Sequence, residues 1–363
     1  MNILFITTHF NYGGITSYIL SLAKGLKKNG HNVYVASSGG DCQDNLKEIG
    51  VTHITIPIKT KNELNPKVFL SFLKLKKIVK EKNIDIIHAH TRVTQVLAEF
   101  IFKFTRIPYV VTCHGFFRPS FHRLRFGCWG KKTIAISQQV KDHLINDFKL
   151  PLDKIILIHN GIDLERFSLQ TDTTQAKQEF GLKKDVVIGL IARLSQVKGQ
   201  DILIVAVQKV IARFPYVQLL LVGEGKTKKD LIKLSKNLNL EKNIIFMPSV
   251  SDTNKVLAAI DIFVLPSIQE GLGLALMEAM AKGIAVVGSR VGGIITLIKD
   301  NQNGLLVEPK DIEGLSEAII KLIEDKTLAK TLGQNARSFI EKEFSLTQTV
   351  KKTQEVYADV TEK

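Results

Sequence analysis

The sequence lacks the features that place a chain inside a membrane or in a disulfide-held scaffold. No run of about 18 apolar residues occurs in its 363 residues, so no transmembrane helix is predicted. The N-terminus, MNILFITTHF, has neither a basic leader nor a small-residue cleavage site, which argues against a secretory signal. The three cysteines are odd in number and lack metal-ligand spacing, so we expect reduced thiols in a cytoplasmic protein.

Acidic residues are fewer than basic residues, and the difference is largest in the first half of the chain. The 50 Lys and Arg against 35 Asp and Glu give a formal net charge of +15 at pH 7. Residues 1–165 hold 23 of these cations and 12 of the acids, a balance of +11. Such a field favours an anionic partner (a nucleic acid, an anionic membrane face or a phosphorylated substrate), unless it reflects only a lysine-rich proteome.

Short apolar runs alternate with helical patterns along the sequence, and the series begins twice. In the first half the strand-like runs are Ile3–Thr7, Asn32–Ala36, Ile84–His88, Tyr109–Thr112, Thr133–Ile136 and Ile155–Ile158. In the second half they are Val186–Ile191, Gln218–Val222, Ile244–Phe246, Ile262–Leu265, Ala285–Gly288 and Leu305–Val307. Strands that alternate with helices form parallel sheets covered on both faces. The sequence therefore predicts an α/β chain of twelve strands in two doubly wound domains.

A polar stretch sets the expected domain boundary. Ser168–Gln178, rich in threonine, is predicted to link an N-terminal domain over 1–167 to a C-terminal domain over 168–345. Residues 346–363 are predicted to form a helix that packs back on the first domain. Ligands of such folds bind beyond the carboxyl ends of the strands, so the cleft between two facing domains is the expected site.

Two cations follow the first strand of the second series. The sequence IGLIARLSQVKGQD places Arg193 and Lys198 just past the carboxyl end of that strand. Arginine binds two oxygens at once through its planar guanidinium, and lysine adds a compact point charge. The pair suits a diphosphate, and the alternative is two solvated loop charges.

A glycine-rich loop follows a later strand of the same series. In DIFVLPSIQEGLGLALMEAMAKGIAVV a strand ends at Leu265, and a loop with Gly271 and Gly273 leads into a helix. Glycines let a backbone approach a ligand closely, and amides at a helix N-terminus attract phosphate. Glu270 lies before the helix and Glu278 about two turns inside it, where carboxylates can accept the hydroxyls of a sugar and a ribose.

An ordered series of short motifs extends over almost the whole chain. It comprises the Gly13–Gly14 pair, TCHG, HNGIDLERF, ARLSQVKG, LVGEG, and two glutamates with seven residues between them followed by AMA. In this order and spacing the sequence resembles glycosyltransferase family four, whose members are retaining enzymes of the two-domain GT-B fold. The resemblance implies two doubly wound, Rossmann-like domains facing across a cleft, and sugar transfer from a nucleotide diphosphate sugar.

The resemblance also assigns roles to individual residues. Arg193 and Lys198 would hold the donor diphosphate, and Glu270 would contact the hydroxyls of the transferred sugar. Glu278 would accept the ribose hydroxyls. The remaining implied contacts are the backbone amides around Leu272, Gly273 and Leu274 and, from the first domain, Gly13 and Gly14 at the phosphate and His114 near the sugar.

The implied chemistry needs charge stabilisation rather than a protein nucleophile. Breaking a sugar–diphosphate bond builds negative charge on the leaving group, which Arg193, Lys198 and helix amides would stabilise in place of a metal. No Asp-X-Asp triplet occurs in the sequence, so neither a metal nor a cofactor is expected. In the family a leaving phosphate oxygen takes the acceptor's proton, which makes Glu270 a hydroxyl ligand. His114 is expected to bind a sugar hydroxyl, with a role as base as the alternative.

Two basic segments of the first domain bear on the acceptor. Residues 66–82 combine an apolar face with lysines, which suits a helix packed on the sheet or a membrane contact. Residues 116–132 mix four phenylalanines and Trp129 with three arginines. Aromatic rings among cations suit an anionic membrane or a lipid-linked acceptor, and the alternative is a partly buried helix with a basic outer face.

The function predicted from the sequence is therefore hexose transfer from a UDP-, GDP- or ADP-sugar to a cell-envelope glycan or lipid-linked acceptor. The protein is expected in the cytoplasm, with peripheral contact at the inner face of the membrane. A sugar-nucleotide epimerase of the same fold is the main alternative. A basic nucleic-acid-binding protein is a weaker one, because no recognition module is found and no nucleic acid is expected as a partner.

Overall fold

The computed structural model describes residues 1–168, 172–183 and 185–362, and the chain divides into two compact units. Unit 1 combines Met1–Gly161 with Leu346–Lys363, and unit 2 is Ile162–Ser345. The chain thus changes unit at Gly161, before the stretch predicted as the linker. Of that stretch, residues 169–171 lie outside the described part of the chain, and Thr173–Glu179 forms a helix capped by the Asp172 side chain.

Strands and helices alternate through both units. The strands are β1 (Asn2–Ile6), β2 (Asn32–Ser37), β3 (Thr52–Thr55), β4 (Ile86–Ala89), β5 (Tyr109–Cys113), β6 (Lys132–Ala135), β7 (Ile155–Leu157), β8 (Val186–Ile191), β9 (Val217–Val222), β10 (Ile244–Met247), β11 (Ile262–Leu265), β12 (Ala285–Ser289) and β13 (Leu305–Val307). The helices are α1 (Gly14–Lys28), α2 (Gln43–Glu48), α3 (Pro66–Glu81), α4 (Arg92–Thr105), α5 (Phe121–Arg125), α6 (Gln138–Phe148), α7 (Leu164–Ser168), α8 (Thr173–Glu179), α9 (Gln200–Arg213), α10 (Lys228–Asn237), α11 (Thr253–Ala258), α12 (Leu274–Ala281), α13 (Ile294–Leu297), α14 (Ile312–Glu324), α15 (Lys326–Glu343) and α16 (Leu346–Thr361).

Unit 1 is built on a seven-stranded sheet in the order β3-β2-β1-β4-β5-β6-β7, and the strand pairs are parallel. The sequence predicted six of these strands and missed β3, so the prediction of twelve strands in the chain was wrong. β3 is an edge strand, and none of its four residues is buried. A strand without a buried face carries no apolar run that a sequence pattern could reveal.

The C-terminal helix α16 packs on α1 within unit 1. The two helices approach so closely that a Cβ atom at Gly25 would lie 2.4 Å from the Cγ2 atom of Val350. Val350 and Tyr357 are buried in the same apolar cluster as Leu22 and Leu26 of α1. The last turns of the chain therefore form part of the core of unit 1.

Unit 2 is built on a six-stranded sheet in the order β10-β9-β8-β11-β12-β13, again with parallel pairs. Strand order reverses between β8 and β11 here, and between β1 and β4 in unit 1. These points of reversal are where open parallel sheets bind ligands, beyond the carboxyl ends of the strands. The prediction of two doubly wound, Rossmann-like domains is confirmed. Among the described residues, none of the helices is long and apolar enough to cross a membrane.

Candidate functional site

The residues predicted from the second half of the chain gather at the reversal point of unit 2. β8 ends at Ile191 and β11 at Leu265, and these strands are neighbours in the sheet. Arg193 follows the first strand directly, and Glu270 lies in the loop after the second. Parallel pairing therefore brings the cations and carboxylates of two distant sequence motifs to one edge.

The backbone around Arg193 is held by the turn that follows β9. The Ala192 amide donates to Val222 O at 3.0 Å, and the Leu194 amide donates to Glu224 O at 3.0 Å. A Cβ atom at Gly225 would lie 1.9 Å from Leu194 O, so only glycine fits. The glycines of LVGEG thus support the Arg193 loop.

The Arg193 side chain is exposed and makes no hydrogen bond or ion pair with any described residue. Its own carbonyl is fixed, because the Gln200 side-chain amide donates to Arg193 O at 3.0 Å. A guanidinium left without a carboxylate partner keeps all five N–H donors for an anion. The position of Arg193 is therefore set by backbone hydrogen bonds, and its positive charge is available to bind an anion.

Lys198 is placed differently, because its ammonium donates to the Glu270 carboxylate. Both side chains are mostly buried. The Gly271 amide donates to the second oxygen of the same carboxylate at 3.1 Å. Lys198 ends a short 3-10 turn, Gln196–Lys198, that closes at Gly199. Lys198, predicted to hold the diphosphate, therefore contacts Glu270, predicted to hold the sugar.

The glycine loop forms the N-terminus of α12 as predicted. Gly273 caps the helix with a φ of +99°, a conformation that side chains other than glycine rarely adopt. Its carbonyl accepts the first hydrogen bond of the helix, from the Met277 amide at 3.0 Å. The amides that come before Met277 therefore have no acceptor within the helix. Such amides, near Leu272, Gly273 and Leu274, point out of the helix end and bind anions.

A second glycine pair supports this loop, and the sequence analysis missed it. Gly292 and Gly293 follow β12, and the Gly293 amide donates to Glu270 O at 3.0 Å. A Cβ atom at Gly292 would lie 1.9 Å from Glu270 O, and one at Gly293 would lie 2.3 Å from Gly271 O. Two adjacent glycines after a strand, in SRVGGI, were the signal available in the sequence.

Glu278 lies inside α12 with 6% of its surface exposed. Burial raises the pKa of its carboxyl to about 7, and the positive charge of Arg166 only partly opposes this rise. Near neutral pH the carboxyl is therefore poised between its two protonation states. A hydroxyl donor that bonds to it would favour the ionised form.

The residues predicted from the first half all lie in unit 1. Gly13 and Gly14 are exposed after β1, where α1 begins, and no other atom lies within 4 Å of a Cβ built on either. Gly13 has a φ of +154°. The backbone at this helix N-terminus is thus open to an approaching ligand.

His114 follows β5 and belongs to a column of three imidazoles. Its Nε2 atom lies 3.2 Å from Nδ1 of His90, and the ring of His90 lies 4.2 Å from that of His88. Burial lowers the pKa of His114 to about 3 and holds the pKa of His88 and His90 well below its usual value. Among the residues that the structure describes, no group of three His, Cys, Asp or Glu could hold a metal ion.

Two family models match the chain, one for each half. Residues 12–166 match the model described as Glycosyltransferase Family 4, and residues 172–339 match the one described as Glycosyl transferases group 1.

Curated relatives resemble the chain over most of its length. It is 28% identical to the N-acetyl-alpha-D-glucosaminyl L-malate synthase of Bacillus anthracis, over 98% of this chain and 96% of that protein. It is also 28% identical to the UDP-Gal:alpha-D-GlcNAc-diphosphoundecaprenol alpha-1,3-galactosyltransferase of Escherichia coli, over 90% of this chain and 88% of that protein.

A solved structure with a bound ligand resembles the chain over its whole length. The Alr3699/HepE protein of Anabaena in complex with UDP-glucose matches with a TM-score of 0.88 and 25% identity. The match covers 99% of this chain and 100% of that one.

Proposed function

The chain belongs to glycosyltransferase family four, and we propose that it is a retaining, metal-independent enzyme that transfers a hexose from a nucleotide diphosphate sugar to a glycan or lipid-linked acceptor. The observation that carries this proposal is the strand-end cluster of unit 2. There the Arg193 guanidinium, which has no partner in the described part of the chain, lies in the loop after β8, and the N-terminus of α12 follows β11. Both features bind phosphate oxygens.

Different groups of the cluster bind different parts of the donor. Arg193 offers bidentate bonds to the diphosphate, and the first amides of α12 offer further donors. As the bond between sugar and phosphate breaks, negative charge grows on the phosphate oxygen, and fixed donors stabilise that charge without reorganising. These groups supply the positive charge that a divalent metal supplies in other transferases.

Glu270 is better suited to hold a sugar than to attack it. Its carboxylate already accepts from the Lys198 ammonium and from the Gly271 amide. Charge-assisted bonds occupy lone pairs of a carboxylate and fix its orientation. We therefore propose that Glu270 accepts sugar hydroxyls, and that a phosphate oxygen of the leaving group takes the acceptor's proton.

Two of the proteins similar to this chain are described with UDP-sugars, which favours a UDP-sugar over a GDP- or ADP-sugar. The Escherichia coli relative is named for UDP-Gal and for a diphosphoundecaprenol acceptor, and the Anabaena structure holds UDP-glucose. We propose the same class of donor here, together with an acceptor carried on a lipid. Roles for Gly13 and Gly14 at the phosphate and for His114 at the sugar stay predictions.

Unit 1 carries a surface suited to an anionic bilayer. On α3 and α4 the exposed apolar side chains are Phe69, Leu70, Leu73, Phe100 and Phe104, which we call the α3–α4 face. The two helices are joined by ring contacts, with the centroid of the Phe72 ring 5.1 Å from that of Phe104. The Lys76 ammonium lies 5.3 Å from the centroid of the Phe104 ring. Exposed lysines of α3 surround the face: Lys67, Lys74, Lys77 and Lys80.

The basic segment over 116–132 also exposes apolar side chains. Phe121, Leu124 and Phe126 are exposed. Arg123 turns inward and pairs with Glu63, which also pairs with the buried Arg92. The alternative of a helix with a basic outer face holds only in part at α5, because Arg123 is neutralised while Arg125 is exposed beside the apolar residues. Apolar side chains among lysines favour peripheral binding to anionic lipid at the cytoplasmic face.

Analysis of the products tests the function against its main alternative. Purified protein is incubated with UDP-, GDP- and ADP-sugars and a membrane lipid extract, and the sugar nucleotide is followed by ¹H NMR. A transferase releases nucleoside diphosphate and moves the sugar to lipid. An epimerase instead yields a second nucleotide sugar with no lipid present, and that outcome would replace the proposal.

A further inference from the structure

Three histidines lie at the carboxyl ends of β4 and β5 in unit 1, and their ring nitrogens form a defined pattern. Nδ1 of His88 lies 2.6 Å from the Tyr357 hydroxyl, and its Nε2 lies 2.7 Å from the Thr112 hydroxyl. Both nitrogens of His88 are thus satisfied by hydroxyl groups. Within the described residues, the ring nitrogens of His90 have one hydrogen-bond partner, which is Nε2 of His114 at 3.2 Å.

The tautomer of His90 follows from its unpaired nitrogen. Nε2 of His90 is buried and has no hydrogen-bond partner. A buried N–H without an acceptor is rarer and more costly than an unused lone pair. Because a neutral imidazole carries one N–H, that proton belongs on Nδ1 of His90, from which it donates to Nε2 of His114.

The tautomer of His114 then follows from that of His90. With its Nε2 lone pair engaged, neutral His114 must carry its proton on Nδ1, which makes no hydrogen bond with any described residue. The ring is held in place by Tyr18, whose ring centroid lies 4.9 Å from that of His114 in an edge-on contact. His114 is only partly buried, and its Nδ1 atom is not among the buried atoms left without a partner, so this nitrogen is open to a ligand.

We propose that His90 is a positioning residue that fixes His114 as the Nδ1–H tautomer, so that His114 offers a ligand a hydrogen-bond donor and not a base. The ligand is a hydroxyl or carbonyl oxygen of the sugar substrate, and this identification rests on the proposed function. The low pKa of His114 agrees with the assignment, since a general base works best when its pKa lies near the working pH. The choice between sugar ligand and base is thereby decided in favour of the ligand.

Nitrogen NMR of the whole protein tests the tautomer directly. The chain is labelled with ¹⁵N in its histidine rings, and His114 is assigned from the signals lost in His114→Gln. We expect the neutral Nδ1–H pattern for His114 between pH 6 and pH 8. A neutral Nε2–H pattern, or a protonated ring, would overturn the proposal whatever the activity of the protein.

Two substitutions of His90 separate positioning from packing. His90→Asn keeps an N–H donor near the place of Nδ1, and His90→Leu removes it. We expect the Nδ1–H pattern of His114 to survive in the first variant and to be lost in the second, together with about a tenfold lower kcat/KM for sugar transfer. An unchanged His114 pattern in His90→Leu contradicts the proposal, and so does its loss in His90→Asn. If the pattern behaves as expected but no sugar is transferred by the wild type, the proposed function fails and the positioning role stands.

Discussion

Lys198 and Glu270 form an ion pair that joins the loop after β8 to the loop after β11. Their side chains are mostly buried, at 19% and 12% exposure, so water screens the pair weakly. The Ile268 amide reinforces the junction by donating to Val197 O at 2.8 Å. The two sequence motifs that carry the proposed donor site are thus joined into one structural unit.

Breaking this pair from either side should cost stability in a non-additive way. Lys198→Ala leaves a partly buried carboxylate without its cation, and Glu270→Gln leaves the ammonium without its anion. We expect the double variant to be more stable than the sum of the single effects by about 1 kcal/mol, measured by urea unfolding. Additive free energies of unfolding would contradict a direct pair.

Arg193 should matter for binding and not for stability. Its side chain has no partner among the described residues, so Arg193→Ala should change the free energy of unfolding by less than about 0.5 kcal/mol. The same change should weaken UDP binding about tenfold or more, because two charge-assisted bonds are lost. Calorimetry with UDP and with uridine shows whether the lost affinity comes from the phosphates, since uridine lacks them. Lys236→Ala, an exposed lysine of α10, is the matched control.

Glu278 should make the free protein less stable as pH rises toward neutrality. Its pKa is about 7 in the folded chain against an ordinary value of 4.5, so the folded state retains a proton that the unfolded chain releases. The free energy of unfolding therefore falls between pH 4.5 and pH 7, by up to about 3 kcal/mol. Glu278→Gln should flatten this fall in urea titrations at several pH values. An identical pH dependence in the variant would show that Glu278 does not titrate there.

The same carboxyl should make donor binding pH-dependent in the opposite sense. Ribose hydroxyls that donate to Glu278 favour its ionised form, so UDP affinity should rise from pH 6 to pH 8. Binding near pH 7 should release protons, which calorimetry in buffers of different ionisation enthalpy measures. If the affinity of Glu278→Gln keeps the same rise, another group is responsible.

The glycine pair after β12 should be required for the shape of the donor loop. Gly292→Ala places a methyl group against Glu270 O and also strains a positive φ of +46°. Gly181→Ala is the matched control, because Gly181 has a φ of +66° with no atom within 4 Å of its Cβ. Both variants should lose about 1 kcal/mol from backbone strain, and only Gly292→Ala should also lose UDP binding. Equal UDP binding by the two variants would mean that the loop tolerates the displacement.

The α3–α4 face should bind anionic vesicles. Changing both Phe69, which is 59% exposed, and Leu73, which is 49% exposed, to Ser removes apolar surface without opening the core. We expect affinity for vesicles containing phosphatidylglycerol to fall about tenfold, and wild-type binding to weaken with salt. Leu152→Ser is the control, because Leu152 is 64% exposed elsewhere in unit 1. A similar loss in the control would make the contact nonspecific.

The fold could be predicted because its signals are local. Parallel strands buried on both faces are apolar runs, and these runs marked β8, β11 and their neighbours in the sequence. β3 was not predicted, because it lies at the edge of the sheet and has no buried residue. The unit boundary at Gly161 was not predicted, because it depends on which segments pack together in space. The polar stretch after it contains α8.

The site could be predicted only in part, for a related reason. Arg193 and Glu270 were found because each follows a strand, and parallel pairing places strand ends together. Their partners depend on contacts between distant segments. No local pattern shows that Lys198 contacts Glu270, that Gly292 fits under the same loop, or that His90 bonds to His114.

Donor cleavage by matched variants tests the central claim most directly. The rate of UDP release from UDP-sugars is measured for the wild type, for Arg193→Ala and Glu270→Gln, and for the controls Lys236→Ala and Glu241→Gln on exposed positions of unit 2. All five proteins are first shown to be folded by circular dichroism. We expect both site variants to lose about a hundredfold or more in rate, since each loses charge-assisted bonds to the donor, while both controls stay near the wild type. Wild-type rates in Arg193→Ala and Glu270→Gln would contradict the assignment of the donor site to the strand ends of unit 2.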